Sequence, residues 1–131
     1  MQADLFGNIE KSKTDVSIEL AKEILGLELH PDFITEKEEK ELIKVIDNSP
    51  WLNDLKRRVQ HYGYKYDYRA RKIDNSLYLG ELPNWCKTIY QKMIDKKIID
   101  FVPDQAIINE YKIGQGISSH IDCEPCFGDT I

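Results

Sequence analysis

No uninterrupted apolar run in this sequence approaches the length that a membrane-crossing helix needs, so no membrane partner is expected. The opening residues Met1-Gln2-Ala3-Asp4-Leu5-Phe6-Gly7 lack a basic stretch followed by an apolar one, the pattern of a secretory leader. A cytoplasmic protein is the expectation. Cysteine is scarce: Cys86, Cys123 and Cys126 are too few and too unevenly placed for a disulfide framework, which fits a reducing compartment. Cys123-Glu124-Pro125-Cys126 finds no second C-x-x-C and no histidine pair, so four zinc ligands cannot be assembled from it and no zinc site is expected. It also follows an expected strand rather than opening a helix, where a catalytic dithiol usually sits. Internal repeats and low-complexity stretches are missing too, which excludes solenoid and biased-composition architectures.

What remains is the profile of one globular domain: 131 residues, 41% hydrophobic and 31% charged. Only residues 1 to 14, polar and with little to bury, are expected as a flexible tail, leaving 15 to 131 as the domain. The net charge of −5 argues against a partner rich in phosphate, but its distribution is uneven. Lys56, Arg57, Arg58, Lys65, Arg69, Arg71 and Lys72 face a single acid, Asp67, within one short segment.

Val16, Leu20, Ile24 and Leu25 recur at near-helical spacing up to Gly26, and Leu27-Glu28-Leu29 alternates as a short strand would. Thr35-Glu36-Lys37-Glu38 has the form of a capping box, predicting a helix to about Asn48 with Leu42, Ile43 and Ile46 as its buried stripe. Ser49-Pro50 would stop it. A further helix is predicted from about Asn84 to Lys97, with Trp85, Ile89 and Met93 on one face, both helices backing a sheet. From Val59 to Tyr68 the residues Tyr62, Tyr64, Tyr66 and Tyr68 would share one face of a strand. Between Gln105 and Ile113, Ile107, Asn109, Tyr111 and Ile113 alternate against Ala106, Ile108, Glu110 and Lys112. Gly114-Gln115-Gly116 supplies a turn, and a returning strand from Ile117 to Asp122 is predicted. The fold class is α+β.

On such a strand His120 and Asp122 face the same side, and an imidazole and a carboxylate that converge are two legs of a facial triad for iron. Alone, H-x-D is a common chance pattern, with a surface histidine near an aspartate as its plain reading. Its surroundings are more specific. Asn109-Glu110-Tyr111, a glycine-containing turn and His120-Ile121-Asp122 stand in the order and spacing of the AlkB family of non-haem Fe(II) dioxygenases, which the chain resembles. The resemblance extends upstream through Pro31-Asp32-Phe33-Ile34, Ser49-Pro50-Trp51 and Arg57-Arg58-Val59-Gln60-His61-Tyr62-Gly63-Tyr64, and downstream through Cys126-Phe127-Gly128-Asp129. It spans residues 26 to 131.

This resemblance implies Fe(II) at His120 and Asp122 and 2-oxoglutarate on Asn109 and Tyr111, the iron pair carrying catalysis. An amide and a phenol on an inward strand face are suitable donors to a dicarboxylate; the plainer alternative is that they pair across strands. It places the segment from Arg57 to Arg71 over the active site, with Arg57, Arg58, Tyr62, Tyr64, Tyr66 and Arg69 as substrate-binding residues. Aromatic stacking on a base with basic contacts to phosphates would suit that role, and a well-packed strand with a solvated basic face is the plainer alternative. His61 is expected to pack or to face the substrate rather than to bind iron.

The fold implied is a double-stranded β-helix, or jelly roll, of which the chain would hold a part. Its later strands would bring a second histidine and an arginine for 2-oxoglutarate. Neither residue type follows Asp122, so the chain is expected to be truncated, with a missing C-terminal half or a complementing chain. The activity implied is oxidative dealkylation or hydroxylation of alkylated bases in DNA or RNA, with 2-oxoglutarate decarboxylated to succinate. The alternatives are a catalytically inactive remnant that binds nucleic acid, or a packed α+β domain whose H-x-D is accidental.

Overall fold

The computed structural model describes residues 12 to 131. Of the expected tail, residues 1 to 11 lie outside the described residues, and Ser12 already caps a helix. The chain divides into two compact units, one ending at Ile43 and one running from Lys44 to Ile131.

In the first unit, helix α1 (Lys13–Lys22) begins with a capping box: Asp15 N donates to Ser12 Oγ at 3.1 Å, and Ser12 N donates to the Asp15 carboxylate at 3.2 Å. It ends earlier than its apolar spacing predicts. The chain turns through Glu23 and Gly26 (φ +84°), with Leu27 N on Ile24 O, and Leu27 to Leu29 form no strand. Only Ala21 of this helix is buried, while Val16, Leu20 and Ile24 stand exposed. Helix α2 (Glu36–Asp47), whose residues from Lys44 onward belong to the second unit, starts where the sequence places it, with Glu38 N on Thr35 Oγ1 and Thr35 N on the Glu38 carboxylate. Its expected stripe is not buried: Ile43 is 49% exposed, and Leu42 and Ile46 are half-buried.

In the second unit, strand β1 (Arg58–Tyr62) pairs antiparallel with strand β2 (Ala106–Glu110) in the register Arg58–Glu110, Val59–Asn109, Gln60–Ile108, His61–Ile107, Tyr62–Ala106. Opposed residues share a face, so the pairing sorts the unit into two sides. On one side Arg58 forms a bidentate pair with Glu110 and lies 4.1 Å over the Trp51 ring. Buried Gln60 donates to Ile46 O and Ser49 O and accepts from the Tyr62 hydroxyl. The Tyr62 ring meets Trp85 of helix α3 (Asn84–Asp95) edge-on at 5.2 Å. Helix α3 buries Cys86, one position from the expected stripe, whereas Trp85, Ile89 and Met93 are half-buried. Burial pushes the Cys86 thiol up to about 12. On the other side Val59, almost fully buried, and His61 stand with Ile107 and Asn109.

The tyrosine run does not share one face. At Gly63 (φ +76°) the chain makes a three-residue turn, Tyr64 N donating to Tyr62 O at 3.0 Å, and ends β1. The parity of the side chains resets there. Tyr62 looks toward α3, while Tyr64, Tyr66 and Tyr68 look to the opposite side, into the cavity described below. Gly63 is required: a Cβ on it would lie 1.9 Å from Asp104 O, and its carbonyl accepts from Leu79 N.

The predicted strand from Ile117 to Asp122 is also absent. Beyond a turn at Gly114, closed by Gln115 N on Lys112 O, the segment has no ladder, and Ile113, Ile117 and Ile121 stand exposed. A strand without a neighbouring strand cannot satisfy its backbone groups in pairs. The α+β class holds, and the sheet among the described residues has two strands. No helix among the described residues is long and apolar enough to cross a membrane.

Candidate metal and cosubstrate site

Odd-numbered residues of β2, with Arg57 and Tyr111 beside the strands, and Tyr64, Tyr66 and Tyr68 beyond Gly63 meet around an open cavity of about 1280 Å³. Arg57, Ile107, Asn109 and Tyr111 line it from the sheet; Tyr64, Tyr66 and Tyr68 from the excursion after Gly63; His120, Asp122 and Phe127 from the segment after β2. The alternation read from Gln105 to Ile113 therefore gives the side to which Ile107, Asn109 and Tyr111 point. Ile113 is fully exposed and outside it.

His120 and Asp122 come together without a strand beneath them. His120 Nε2 lies 3.2 Å from Asp122 Oδ1, and its Nδ1 lies 2.8 Å from Ser118 O. A carbonyl oxygen only accepts, so Nδ1 donates to it, and Nε2 is the ring nitrogen that faces the carboxylate. Holding the second imidazole nitrogen on a carbonyl is also how metal-binding histidines are oriented. Both side chains are about half exposed, at 47% and 49%, and open to the cavity. Among the described residues, no group of three or more His, Cys, Asp or Glu side chains could hold a metal ion, so the pair supplies two donors.

Side chains anchor this segment. Arg71 Nη2 donates to Ile121 O at 3.1 Å, and the Phe127 ring contacts Tyr66 at 5.4 Å. Cys123 and Cys126 form a disulfide across a turn in which Cys126 N donates to Cys123 O. One local bridge is no framework, but the pair is bonded where the sequence suggested no role, because the turn brings residues three apart together. Both sulfurs lie 3.2–3.3 Å from Arg71 O, and being disulfide-bonded they have no proton to donate.

On the sheet, Arg57 Nε donates to Asn109 Oδ1 at 2.7 Å, and the guanidinium lies 5.6 Å from the Tyr111 ring and 5.7 Å from the Tyr68 ring. Burial raises the Tyr68 phenol above its ordinary range, against the opposing pull of Arg57. Burial, with Lys65 nearby, lowers the His61 imidazole; its Nδ1 accepts from Tyr66 N, and it packs against the Tyr68 ring. Of the six residues expected to meet substrate, Arg57, Tyr64 and Tyr66 line the cavity. Arg58 and Tyr62 belong to the opposite face, and Arg69 is exposed on the turn where its N–H caps the Asp67 side chain. Tyr68, Arg71 and Phe127 also reach the cavity. Tyr68 stood in the tyrosine run, and the positive φ of Gly63 is what separates it from Tyr62.

No model of a known protein family matches the chain. Individual relatives do. An alkylated DNA repair protein ALKBH8 homolog from Arabidopsis thaliana is 41% identical over 113 residues, which cover 82% of this chain and 33% of that protein. A tRNA (carboxymethyluridine(34)-5-O)-methyltransferase ALKBH8 from Mus musculus is 36% identical over 114 residues, covering 81% of this chain and 17% of that protein. An alpha-ketoglutarate-dependent dioxygenase alkB homolog 4 from Homo sapiens is 27% identical over 118 residues, covering 81% of this chain and 36% of that protein. The chain thus spans between 17% and 36% of the length of these three. Over the portion that these matches cover, the chain is a member of the AlkB-type family.

Proposed function

We propose that this chain carries the iron- and 2-oxoglutarate-binding part of an AlkB-type dioxygenase acting on alkylated bases in DNA or RNA. The observation that carries the reading is the convergence, around one cavity, of the His120–Asp122 pair with Asn109 and Tyr111. The donor set fits the metal: an imidazole held on a carbonyl through its other nitrogen, beside a carboxylate, is two thirds of the facial arrangement that non-haem Fe(II) oxygenases use. Bound iron would supply oxygen activation coupled to decarboxylation of 2-oxoglutarate. The residues present would do the rest. His120 and Asp122 would hold the ion, Asn109 and Tyr111 would donate to the dicarboxylate, and Tyr64, Tyr66 and Phe127 would offer flat apolar faces for a base. In this reading β1 and β2 are strands of a double-stranded β-helix.

The relatives support the chemistry by their names, which speak of alpha-ketoglutarate dependence, alkylated DNA and tRNA. A second reading, a catalytically inactive module that binds nucleic acid, is favoured by one observation: the pair has no third His or carboxylate grouped with it among the described residues. One titration separates them. Under anaerobic conditions, ferrous iron followed by 2-oxoglutarate should develop the visible charge-transfer band of a chelated Fe(II) complex in the wild type and not in Asp122→Ala. A wild type that binds labelled single-stranded oligonucleotide yet never develops the band would leave only the second reading standing.

A further inference from the structure

Asn109 is ambiguous as a ligand group, because its side chain ends in an acceptor and a donor of similar shape. Its neighbour removes the ambiguity. A guanidinium has N–H donors and no acceptor, so the 2.7 Å contact from Arg57 Nε fixes the amide oxygen toward Arg57. The Asn109 NH2 is then left as the end available to an anionic ligand. The same guanidinium lies 5.6 Å from the Tyr111 ring and 5.7 Å from the Tyr68 ring, within cation–π range of both. Arg57 is thus in contact with each of the two residues assigned to 2-oxoglutarate.

Its backbone is placed independently. Arg57 directly precedes β1, and the carbonyl of Lys56 accepts from Gln115 Nε2 at 3.0 Å, while Gln115 Oε1 accepts from Lys112 N at 2.8 Å. The turn beyond β2 therefore holds the residue before Arg57, and the β1–β2 ladder holds the residue after it.

We propose that Arg57 is the positioning residue for the dicarboxylate cosubstrate: it acts through Asn109, fixing that amide with its donor end toward the ligand. This rests on the 2-oxoglutarate reading above and replaces a phosphate-contacting role for Arg57. With its Nε engaged and two aromatic rings in range, it is part of the cosubstrate wall.

The test measures 2-oxoglutarate affinity of the Fe(II)-loaded protein for the wild type, Arg57→Ala, Arg57→Lys, Asn109→Ala and the double variant. It is paired with the Asn109 side-chain amide resonances of the metal-free protein by NMR. Arg57→Ala is expected to weaken 2-oxoglutarate binding about tenfold, the scale of one lost charge-assisted contact. Arg57→Lys, which can still donate to the amide oxygen, should recover part of it. The double variant should bind no worse than Asn109→Ala alone, because Arg57 acts through that residue. In metal-free protein the Asn109 amide protons should move in Arg57→Ala and stay near their wild-type positions in Arg57→Lys.

Unchanged affinity in Arg57→Ala, or losses that multiply in the double variant, overturns the proposal. So do Asn109 resonances that ignore Arg57→Ala. Should the wild type fail to bind 2-oxoglutarate while the resonances still report the Arg57–Asn109 contact, the cosubstrate reading itself has failed, and Arg57 is a structural clamp only.

Discussion

The two sides of the candidate site are built in different ways. Asn109 and Tyr111 stand on or next to β2, whose backbone is paired residue for residue with β1. His120 and Asp122 stand on a segment with no ladder, held by Arg71 on Ile121 O and by Phe127 against Tyr66. Backbone pairing dictates the side proposed for the cosubstrate, whereas side-chain anchors hold the side proposed for the metal. Damage to the pairing should therefore appear as lost stability, and damage to the proposed metal pair as lost binding with the fold intact.

The largest effect is expected at Gly63. An added Cβ meets the Asp104 carbonyl, which is backbone and cannot swing away, and φ at this position is +76°. Gly63→Ala should lower unfolding free energy by ~3 kcal/mol, combining positive-φ strain with a steric clash. Urea denaturation reads this directly, and a midpoint equal to wild type would show that the turn does not depend on glycine.

Gln60 comes next. It is 2% exposed, and its side chain serves Ile46 O, Ser49 O and the Tyr62 hydroxyl, so Gln60→Ala leaves several polar groups without their partner at once. A loss of ~2 kcal/mol is expected from unsatisfied buried groups. A loss below ~0.5 kcal/mol would mean that water reaches them all.

A smaller effect depends on pH. Burial, helped by Lys65, lowers the folded-state pKa of His61 below the ordinary 6.5. The unfolded chain therefore takes up the proton first, and stability rises with pH wherever it binds more protons than the folded one. This contribution is fully present above pH 6.5 and is lost as pH falls through the lower folded value. His61→Gln keeps an acceptor near Tyr66 N and removes the titration. Its midpoint should be less sensitive than wild type to acidification from neutral pH, and equal slopes for the two proteins would refute the assignment.

These positions show what was legible in the sequence. The capping box at Thr35 and Glu38, helix α3 and the inward set Ile107, Asn109 and Tyr111 follow from local periodicity and cap chemistry, and all three appear. The period-two reading failed at two glycine-containing places. At Gly63 a positive φ reversed the parity of the tyrosines, and beyond Gly114 the segment expected to return as a strand is unpaired. Strand pairing is a non-local property that alternation alone does not report. Gln60 was missed because an isolated glutamine gives no pattern; its role exists only once the end of α2 and the middle of β1 are brought together.

The smallest expected stability effect, near zero, belongs to the residues that matter most for the proposed chemistry. His120 and Asp122 are half exposed, and their mutual contact is open to solvent, where an ion pair contributes little. Removing either should shift the urea midpoint by no more than ~0.5 kcal/mol equivalent in metal-free protein. Added ferrous iron should then separate wild type from variant: a ligand that binds only the folded state raises its stability, so the wild-type midpoint climbs with iron concentration. Asp122→Ala should stay where it was. If instead His120→Ala and Asp122→Ala both destabilise the metal-free protein by as much as Gln60→Ala does, the pair is part of the scaffold. The distinction between a backbone-built cosubstrate side and a side-chain-anchored metal side would then be lost.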